Sequence, residues 1–299
     1  MSDKASCTMD ANSAKDIGSI LKDTGKITAA DLEKIVALQE EKGMLFGEAA
    51  VNLGILTKDD VNRALSHQFS YPYLGDEKYP IGRELVSILQ PFSHQIEVFR
   101  SLRSKLVLSG IGSVLKAVAM VSPNQGDGKT FISANLAATF AQLGSKTVLV
   151  DANFRKPRIH EIFNLKNNCG MSSVIIKRAS LAQAISCTPI PTLHILSSGP
   201  QPPNPLELLG WPDTKEIITS LKGMYDVVIV DTPAFSNTAD ALVISNLVDG
   251  ILMVALKGDT KKESFDNVKK QLKTSAARIL GSIINEPDTK KQPKRFKFF

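Results

Sequence analysis

Residues 117–130, which read AVAMVSPNQGDGKT, decide the fold class. The first five are apolar without alternation, which is typical of a strand buried on both faces of a parallel sheet. A glycine-containing turn follows, and a helix is predicted at 130–143. Further apolar runs alternate with helical segments such as 264–273, so we predict an α/β fold with a doubly wound, mostly parallel sheet. The predicted strands are 117–122, 147–150, 193–196, 227–231, 251–255 and 279–285.

The turn PNQGDGKT at 123–130 has the composition of a phosphate-binding loop. Gly126 and Gly128 would let backbone N–H groups, that of Asp127 included, close around phosphate oxygens at a helix N-terminus. Lys129 would reach the β- and γ-phosphates of ATP, and the Thr130 hydroxyl would bind Mg²⁺. The standard pattern has glycine at position 123, where this chain has proline, and an ordinary strand-to-helix turn is the alternative.

Two further predicted strands lead into aspartates, Asp151 and Asp231. Carboxylates at the carboxyl ends of parallel strands collect at the crevice where doubly wound sheets bind ligands. Near a phosphate loop, two such aspartates can hold Mg²⁺, directly or through its water, and position a nucleophile. The alternative for each is a helix cap or a solvated turn residue.

These three motifs, in this order, resemble those of the bacterial tyrosine kinases of exopolysaccharide and capsule export. The family has a phosphate loop, an Asp-x-Asp-x-Arg motif and a hydrophobic strand ending in aspartate. The resemblance covers roughly residues 92–285. The matching elements in this chain are the loop at 123–130, Asp151-Ala152-Asn153-Phe154-Arg155, Asp231, Glu97-x-x-Arg100-x-x-Arg103, Pro202–Leu209 (PPNPLELL), Asp240-Ala241 and the strand ending at Asn285.

The resemblance implies an ATP- and Mg²⁺-dependent kinase. Catalysis would fall to Lys129, Asp151, Asn153 and Arg155, with Asn285 on the adenine side of the nucleotide. It also implies self-association through Glu97, Arg100 and Arg103, for which a solvated helix face is the alternative. A separate integral membrane protein of polysaccharide chain-length control and export is the implied partner.

Two departures bear on the chemistry. Asn153 stands where the family has its second aspartate, and an amide cannot accept a proton as a carboxylate does. The family usually phosphorylates a tyrosine cluster in its C-terminal tail, and the tail here has no tyrosine. The acceptor is therefore either a partner protein or Tyr71, Tyr73 or Tyr79, whereas Tyr225 is expected to be structural. A P-loop ATPase and a nucleotide-sensing adaptor of the same apparatus therefore stay open beside the kinase.

A rival P-loop family, the ATPases of chromosome partition and septum placement, shares this architecture. Its members carry a signature lysine five positions before the lysine of the phosphate loop. This chain has Asn124 at that position. The rival assignment is weaker for that reason.

Residues 16–68 contain an internal repeat, in which Gly25 recurs as Gly54 at a spacing of 29 residues. Each half reads as two helices, with Thr28 and Thr57 as N-caps of the second. The repeat resembles the helical domain that precedes type II secretion and pilus-assembly ATPases. Some members bind cyclic di-GMP through Arg-Leu-Gly, but neither half here has that arginine. We therefore expect a protein-docking module, with Gly18 and Gly47 allowing close helix packing.

The predicted organisation is a disordered terminus at 1–14, the helical repeat at 15–70, a linker at 71–90, the P-loop domain at 91–287 and a basic, aromatic tail at 288–299. The tail holds five basic residues and three phenylalanines, so we expect it to be disordered and to contact an anionic membrane surface, with a solvated tail as the alternative. The net charge of +6 is otherwise evenly spread, which argues against nucleic-acid binding. Three scattered cysteines, four histidines without metal-ligand spacing and the absence of a signal peptide favour a cytoplasmic protein.

Overall fold

The computed structural model describes residues 16–68, 81–274, 278–286 and 296–298. The expected disordered terminus at 1–14 lies outside these residues, as do Tyr71, Tyr73 and Tyr79 in the first part of the predicted linker. The chain divides into two compact units, Met1–Gly75 and Asp76–Phe299. Within the described residues, no helix has both the length and the apolar character needed to cross a bilayer.

The first unit consists of four helices in two similar halves. Their bounds are α1 (Ile17–Asp23), α2 (Ala29–Lys42), α3 (Phe46–Asn52) and α4 (Lys58–Gln68). Thr28 caps α2 in a capping box, in which its hydroxyl accepts from the Asp31 N–H and its own N–H donates to the Asp31 carboxylate. Thr57 and Asp60 repeat both bonds at α4. The predicted N-caps are confirmed, because a hydroxyl and a carboxylate three residues apart satisfy otherwise unpaired N–H groups.

Glycine at two equivalent positions lets the helices of this unit approach each other. A Cβ at Gly18 would lie 2.9 Å from a methyl of Leu32, and one at Gly47 would lie 2.6 Å from a methyl of Val61. The expected packing role of Gly18 and Gly47 is thus confirmed. The core between the helices consists of Ile20, Leu21, Ile27, Ile35, Ala49, Ala50, Leu56 and Ala64.

The second unit is a sheet of eight strands with helices on both faces. The strands are β1 (Ala117–Val121), β2 (Thr147–Asp151), β3 (Ile185–Cys187), β4 (Leu193–Leu196), β5 (Val227–Asp231), β6 (Gly250–Leu256), β7 (Ile279–Asn285) and β8 (Phe296–Phe298). The helices are α5 (Val86–Leu89), α6 (His94–Leu108), α7 (Lys129–Gln142), α8 (Ile159–Ile162), α9 (Met171–Ile175), α10 (Leu181–Ala184), α11 (Pro205–Leu209), α12 (Pro212–Met224), α13 (Asp240–Ser245) and α14 (Lys262–Thr274), with a 3₁₀ turn at Phe235–Asn237.

The strand order is β3-β4-β2-β5-β1-β6-β7-β8. The six strands from β4 to β7 are parallel, and they are the six that the sequence predicts. Because they lie inside the sheet and are covered on both faces, their side chains are mostly buried. The two short edge strands are antiparallel, and neither was predicted.

Two domain expectations need correction. Residues 81–90 are not linker: Leu85 and Ile88 are buried, and the Gly82 N–H donates to the carbonyl of Ile162 at 2.7 Å. Part of the tail is also ordered, since β8 pairs with β7. An edge strand offers a row of unpaired backbone groups, and the tail satisfies them without needing a core of its own.

Candidate nucleotide and magnesium site

The loop between β1 and α7 has the backbone of a phosphate cradle. Gly126 and Gly128 adopt φ values of 92° and 97°, a region that side chains disfavour. A Cβ at Gly128 would also lie 2.1 Å from the amide nitrogen of Asn285. Within the described residues, the N–H groups of Gly126, Asp127 and Gly128 donate to no protein acceptor. These donors are therefore available to phosphate oxygens.

The Asp127 side chain shapes the loop and does not face a ligand. It is fully buried, accepts from the Asn124 N–H at 2.8 Å and from the Thr260 hydroxyl at 2.7 Å. Its carbonyl accepts from the Asn285 amide at 3.0 Å. Only the backbone N–H of Asp127 can serve the nucleotide role expected from the sequence.

Lys129 is folded back against its own loop. Its ammonium donates to the Ser122 hydroxyl at 2.7 Å and to the Asn124 carbonyl at 3.3 Å, and the residue is only 7% exposed. Burial lowers the pKa of Lys129, while the carboxylates of Asp231 and Asp127 oppose that shift. The cation thus lies inside the loop, where it can be drawn to phosphate charge.

Asp231, at the end of β5, joins the phosphate loop to the sheet. Its carboxylate accepts from the Thr130 hydroxyl at 2.6 Å and from the Ser133 hydroxyl at 3.2 Å. Thr130 and Ser133 are three residues apart on α7, so both face the same strand. The two predicted Mg²⁺ ligands Thr130 and Asp231 are thus in contact, and their role as ligands stays a prediction. Ser133 is an addition that helical spacing alone could have revealed.

Asp151 lies beside Asp231, because β2 and β5 are parallel and the two residues are aligned across the pair. The Asp151 carboxylate accepts three backbone N–H groups, from Asn153, Arg158 and Ile159, each at 3.1 Å. Both carboxylates are almost completely buried. Burial raises the pKa of each, and for Asp151 the neighbouring charge of Asp231 raises it further.

Two buried carboxylates and two hydroxyls fit Mg²⁺. That ion prefers oxygen ligands and is usually held by one or two carboxylates together with water and substrate phosphates. Thr130, Asp151 and Asp231 would hold it, and a divalent cation would offset the burial that raises both pKa values and the repulsion that further raises the pKa of Asp151. A buried acceptor fits adenine: the Asn285 side-chain oxygen has no hydrogen-bond partner among the described residues.

Asn153 and Arg155 are not part of this cluster. The Asn153 amide donates to the Lys156 carbonyl at 2.9 Å, and its oxygen accepts from the Lys156 N–H at 3.1 Å. Arg155 forms a bidentate pair with buried Asp240, at 2.7 and 3.1 Å. Their catalytic assignment stays a prediction, since in this structure both side chains organise the loop after β2.

Sequence reasoning also missed a contact between residues 81–90 and α7. Buried Asn135 accepts from the Ser87 N–H at 2.9 Å and from its hydroxyl at 2.8 Å, and donates to the Glu84 carbonyl. The Glu84 carboxylate pairs with Arg158, whose N–H donates to Asp151. Residues 81–90 therefore brace the helix and loop that carry the site.

The comparisons with known proteins agree with this geometry. A family model described as an AAA domain matches residues 115–275, more than half of the chain. Tyrosine-protein kinase YwqD of Bacillus subtilis (strain 168) is 38% identical over 203 residues, 68% of this chain and 86% of that protein. The chain belongs to the bacterial tyrosine-protein kinase family.

Solved structures extend the likeness to this kinase family. The chimerical protein CapA2B2 has a TM-score of 0.65 and 33% identity, covering 74% of this chain and 97% of that one. The kinase domain of Escherichia coli tyrosine kinase ETK has a TM-score of 0.66 and 27% identity, covering 70% and 82%. Both the family and the fold expected from the sequence are confirmed. The resemblance of residues 16–68 to a secretion ATPase domain stays a prediction.

Proposed function

We propose that this chain is an ATP- and Mg²⁺-dependent protein-tyrosine kinase that regulates exopolysaccharide synthesis, chain length and export from the cytoplasm. The observation that carries the proposal is the convergence of Lys129, Thr130, Asp151 and Asp231 behind a loop with three available N–H donors. The names of the relatives add tyrosine as the acceptor.

The roles of the residues follow from their contacts. Lys129, already buried beside the loop, would neutralise charge on the transferred phosphoryl group. Thr130 and Asp231 would hold Mg²⁺, which would neutralise the negative charge that develops during phosphoryl transfer. Asp151, aligned with Asp231, would hold Mg²⁺ directly or through its water and position the tyrosyl nucleophile. Asn285 would accept a hydrogen bond from the adenine amino group.

A P-loop ATPase of the same apparatus is the second candidate, and Asn153 is the observation that favours it. Its amide nitrogen and oxygen each form a hydrogen bond with the Lys156 backbone, and an amide cannot take the proton of a tyrosine hydroxyl as a carboxylate can. Water could then be the acceptor in place of tyrosine. A nucleotide-sensing adaptor would lack turnover altogether.

One experiment separates the three functions. Purified chain is incubated with Mg-ATP, and phosphotyrosine and ADP release are measured on the same samples. Lys129→Met should abolish both signals, while Lys215→Met, an exposed lysine on α12, should change neither. ADP without phosphotyrosine would select the ATPase, and neither product would select the adaptor. Unchanged turnover in folded Lys129→Met would refute the site.

The acceptor is proposed to be a tyrosine of residues 69–80 or of a partner. Tyr225 is a poor acceptor, because it is 4% exposed and its ring contacts His194 and the Lys146 ammonium. Peptide mass spectrometry after the kinase reaction should find phosphate on Tyr71, Tyr73 or Tyr79. Phosphate on Tyr225 alone would contradict the assignment.

Self-association through α6 is also proposed. Arg100 pairs with Glu97 and donates to the Pro91 carbonyl at 2.7 Å, and Arg103 donates to the Thr139 carbonyl at 2.7 Å. These bonds fix the guanidinium groups on one side of α6, where a second copy could offer carboxylates. Light scattering of the Arg100→Ala/Arg103→Ala variant should give a lower mass than wild type. An unchanged oligomer would reject this surface.

A membrane partner and a membrane contact complete the proposal. The basic residues of the tail would be drawn to anionic lipid, at about 1 kcal/mol for each Lys or Arg near the surface. Co-sedimentation with anionic vesicles should fall when residues 288–299 are removed. Equal binding by the truncated chain would assign the contact elsewhere.

A further inference from the structure

A cavity of about 590 Å³ opens in a part of the second unit that the proposed phosphotransfer does not use. It lies between α9, residues 200–204 and the amino end of α12. Residues 200–204 follow β4, and β4 is the strand next to β2 in the sheet. The cavity is therefore on the carboxyl edge, one strand further out than Asp151, and the Pro-Pro-Asn-Pro stretch forms part of its wall.

The walls of the cavity are fixed by short backbone contacts. The Ser172 hydroxyl donates to the Pro200 carbonyl at 2.8 Å, and the Met171 N–H donates to the Ser197 carbonyl at 2.8 Å. A Cβ at Gly170 would lie 2.2 Å from that same carbonyl oxygen, so only glycine permits this approach. With three prolines in the wall, the cavity needs little ordering before a ligand binds.

The lining combines one large aromatic ring with several hydrogen-bonding side chains. Trp211 is 45% exposed and contributes its indole. The side chains of Asn168, Arg178 and Gln201 have no hydrogen-bond partner in the described part of the chain. The Asn204 amide nitrogen donates to Glu207 at 2.6 Å, which leaves the Asn204 oxygen as an acceptor.

This combination matches the chemistry of a sugar. A pyranose ring has an apolar C–H face that can cover an indole, and hydroxyls around its edge that both donate and accept. Amide and guanidinium groups meet such hydroxyls in pairs. Arg178 is the charged residue in the lining, so the cavity favours a ligand with a carboxylate. Its volume lies in the range that holds a ligand of drug size, such as a disaccharide.

We propose that this cavity binds an acidic oligosaccharide, stacked on Trp211 and with its carboxylate paired to Arg178. The site is independent of phosphotransfer and would let the enzyme respond to a carbohydrate precursor or product. A tyrosine-bearing peptide is the competing occupant. Peptides usually bind a free strand edge or a helix groove, and no strand residue lines this cavity.

The test uses the full chain and its only tryptophan. Because Trp211 lines the cavity, its fluorescence is sensitive to a ligand bound there. Cellobiouronic acid and cellobiose form a matched pair that differs by one carboxylate. The acid should give a saturable fluorescence change and bind more tightly than cellobiose. Arg178→Ala should weaken binding of the acid at least tenfold and leave cellobiose binding unchanged, whereas Arg278→Ala, just before β7, should behave as wild type.

Calorimetry detects binding that does not change the Trp211 fluorescence. Trp211→Ala should lose the heat of binding, and Trp211→Phe should keep most of it. The Asn168→Ala/Gln201→Ala variant gives a second test on side chains that support no other part of the fold. Lys129→Met should bind the acid normally. The sugar-binding result can therefore be interpreted even if the kinase proposal fails.

Three outcomes contradict the proposal. One is the absence of both fluorescence change and heat with either disaccharide at millimolar concentration. The second is a fluorescence response to a synthetic peptide of residues 69–80 while both sugars are silent, which would assign the cavity to an acceptor peptide. The third, equal loss of acid and cellobiose binding in Arg178→Ala, would refute the carboxylate pairing.

Discussion

Replacing Asp231 with asparagine should make the nucleotide-free protein more stable while removing its response to Mg-ATP. Asp151 and Asp231 are aligned on adjacent parallel strands, which are spaced about 4.8 Å apart. Two unit charges about 5 Å apart repel by about 3 kcal/mol at an effective dielectric constant of 20. Asparagine weakens the bonds from Thr130 and Ser133, at a cost of about 1–2 kcal/mol. The net gain in the free energy of unfolding should be about 1–2 kcal/mol.

The gain in stability of Asp231→Asn over wild type should grow with pH. The pKa of each carboxyl is raised in the folded protein, so the unfolded chain releases these protons first. The stability that comes from the protonated forms is present below about pH 4, the ordinary carboxyl pKa, and is lost as the pH rises towards 8. Asp231→Asn removes one of the two charges. Its advantage over wild type should therefore be small at pH 5 and largest at pH 8.

Mg-ATP should reverse the order of stability. Ligand at 100 times its dissociation constant stabilises a protein by about 2.7 kcal/mol. Wild type should gain this amount, because the cation offsets the repulsion between its ligands. Asp231→Asn should gain little, since one charged ligand is gone. The variant is thus expected to be the more stable protein without nucleotide and the less stable one with it.

The assay is urea unfolding followed by Trp211 fluorescence, which reports on the second unit. Asp249→Asn is the matched control, in which the same substitution should lower the stability. The Asp249 carboxylate pairs with Lys222 and accepts hydrogen bonds from the N–H groups of Lys116 and Ala117. A less stable Asp231→Asn at pH 8 without nucleotide would refute the repulsion argument. Full stabilisation of the variant by Mg-ATP would refute the metal assignment.

Three other predictions concern the loop after β2, residues 81–90 and the first unit. Asn153→Asp should raise phosphate incorporation over wild type at equal protein, and equal rates would show that a second carboxylate is dispensable. Asn135→Ala leaves the N–H and hydroxyl of Ser87 unpaired and should lower the free energy of unfolding in urea by about 2–4 kcal/mol. A loss below about 1 kcal/mol would contradict the role of residues 81–90 in bracing α7. Asp60→Ala should lower the stability of α4 by about 1 kcal/mol, as measured by amide hydrogen exchange in that helix. Lys26 and Thr57 lower the pKa of Asp60 to about 2, so the stability that Asp60 contributes should be lost as the pH falls from 4 towards 2. An Asp60→Ala variant that costs as much stability at pH 2 as at pH 7 would contradict this prediction.

The sequence by itself determined the features that depend on neighbouring residues. Val-, Ile- and Leu-rich runs without alternation identified all six parallel strands, since a strand covered on both faces has no polar side. The sequence also placed the N-caps Thr28 and Thr57, because a cap and the N–H groups that it satisfies lie within one helical turn. The glycines of the phosphate loop predicted its backbone. Parallel topology then placed Asp151 and Asp231 at one edge.

Only the tertiary structure decided which distant groups meet. Arg155 pairs with Asp240, 85 residues away, and Asn285 bonds to the Asp127 carbonyl, 158 residues away. Residues 81–90 were grouped with the predicted linker because Pro72, Pro80 and several charges interrupt the pattern of 71–90, yet Ser87 is held by Asn135. Local patterns record how one segment meets solvent and core. Which polar partner a buried group finds depends on how separate segments pack, because each must satisfy its hydrogen bonds with whatever the fold brings beside it.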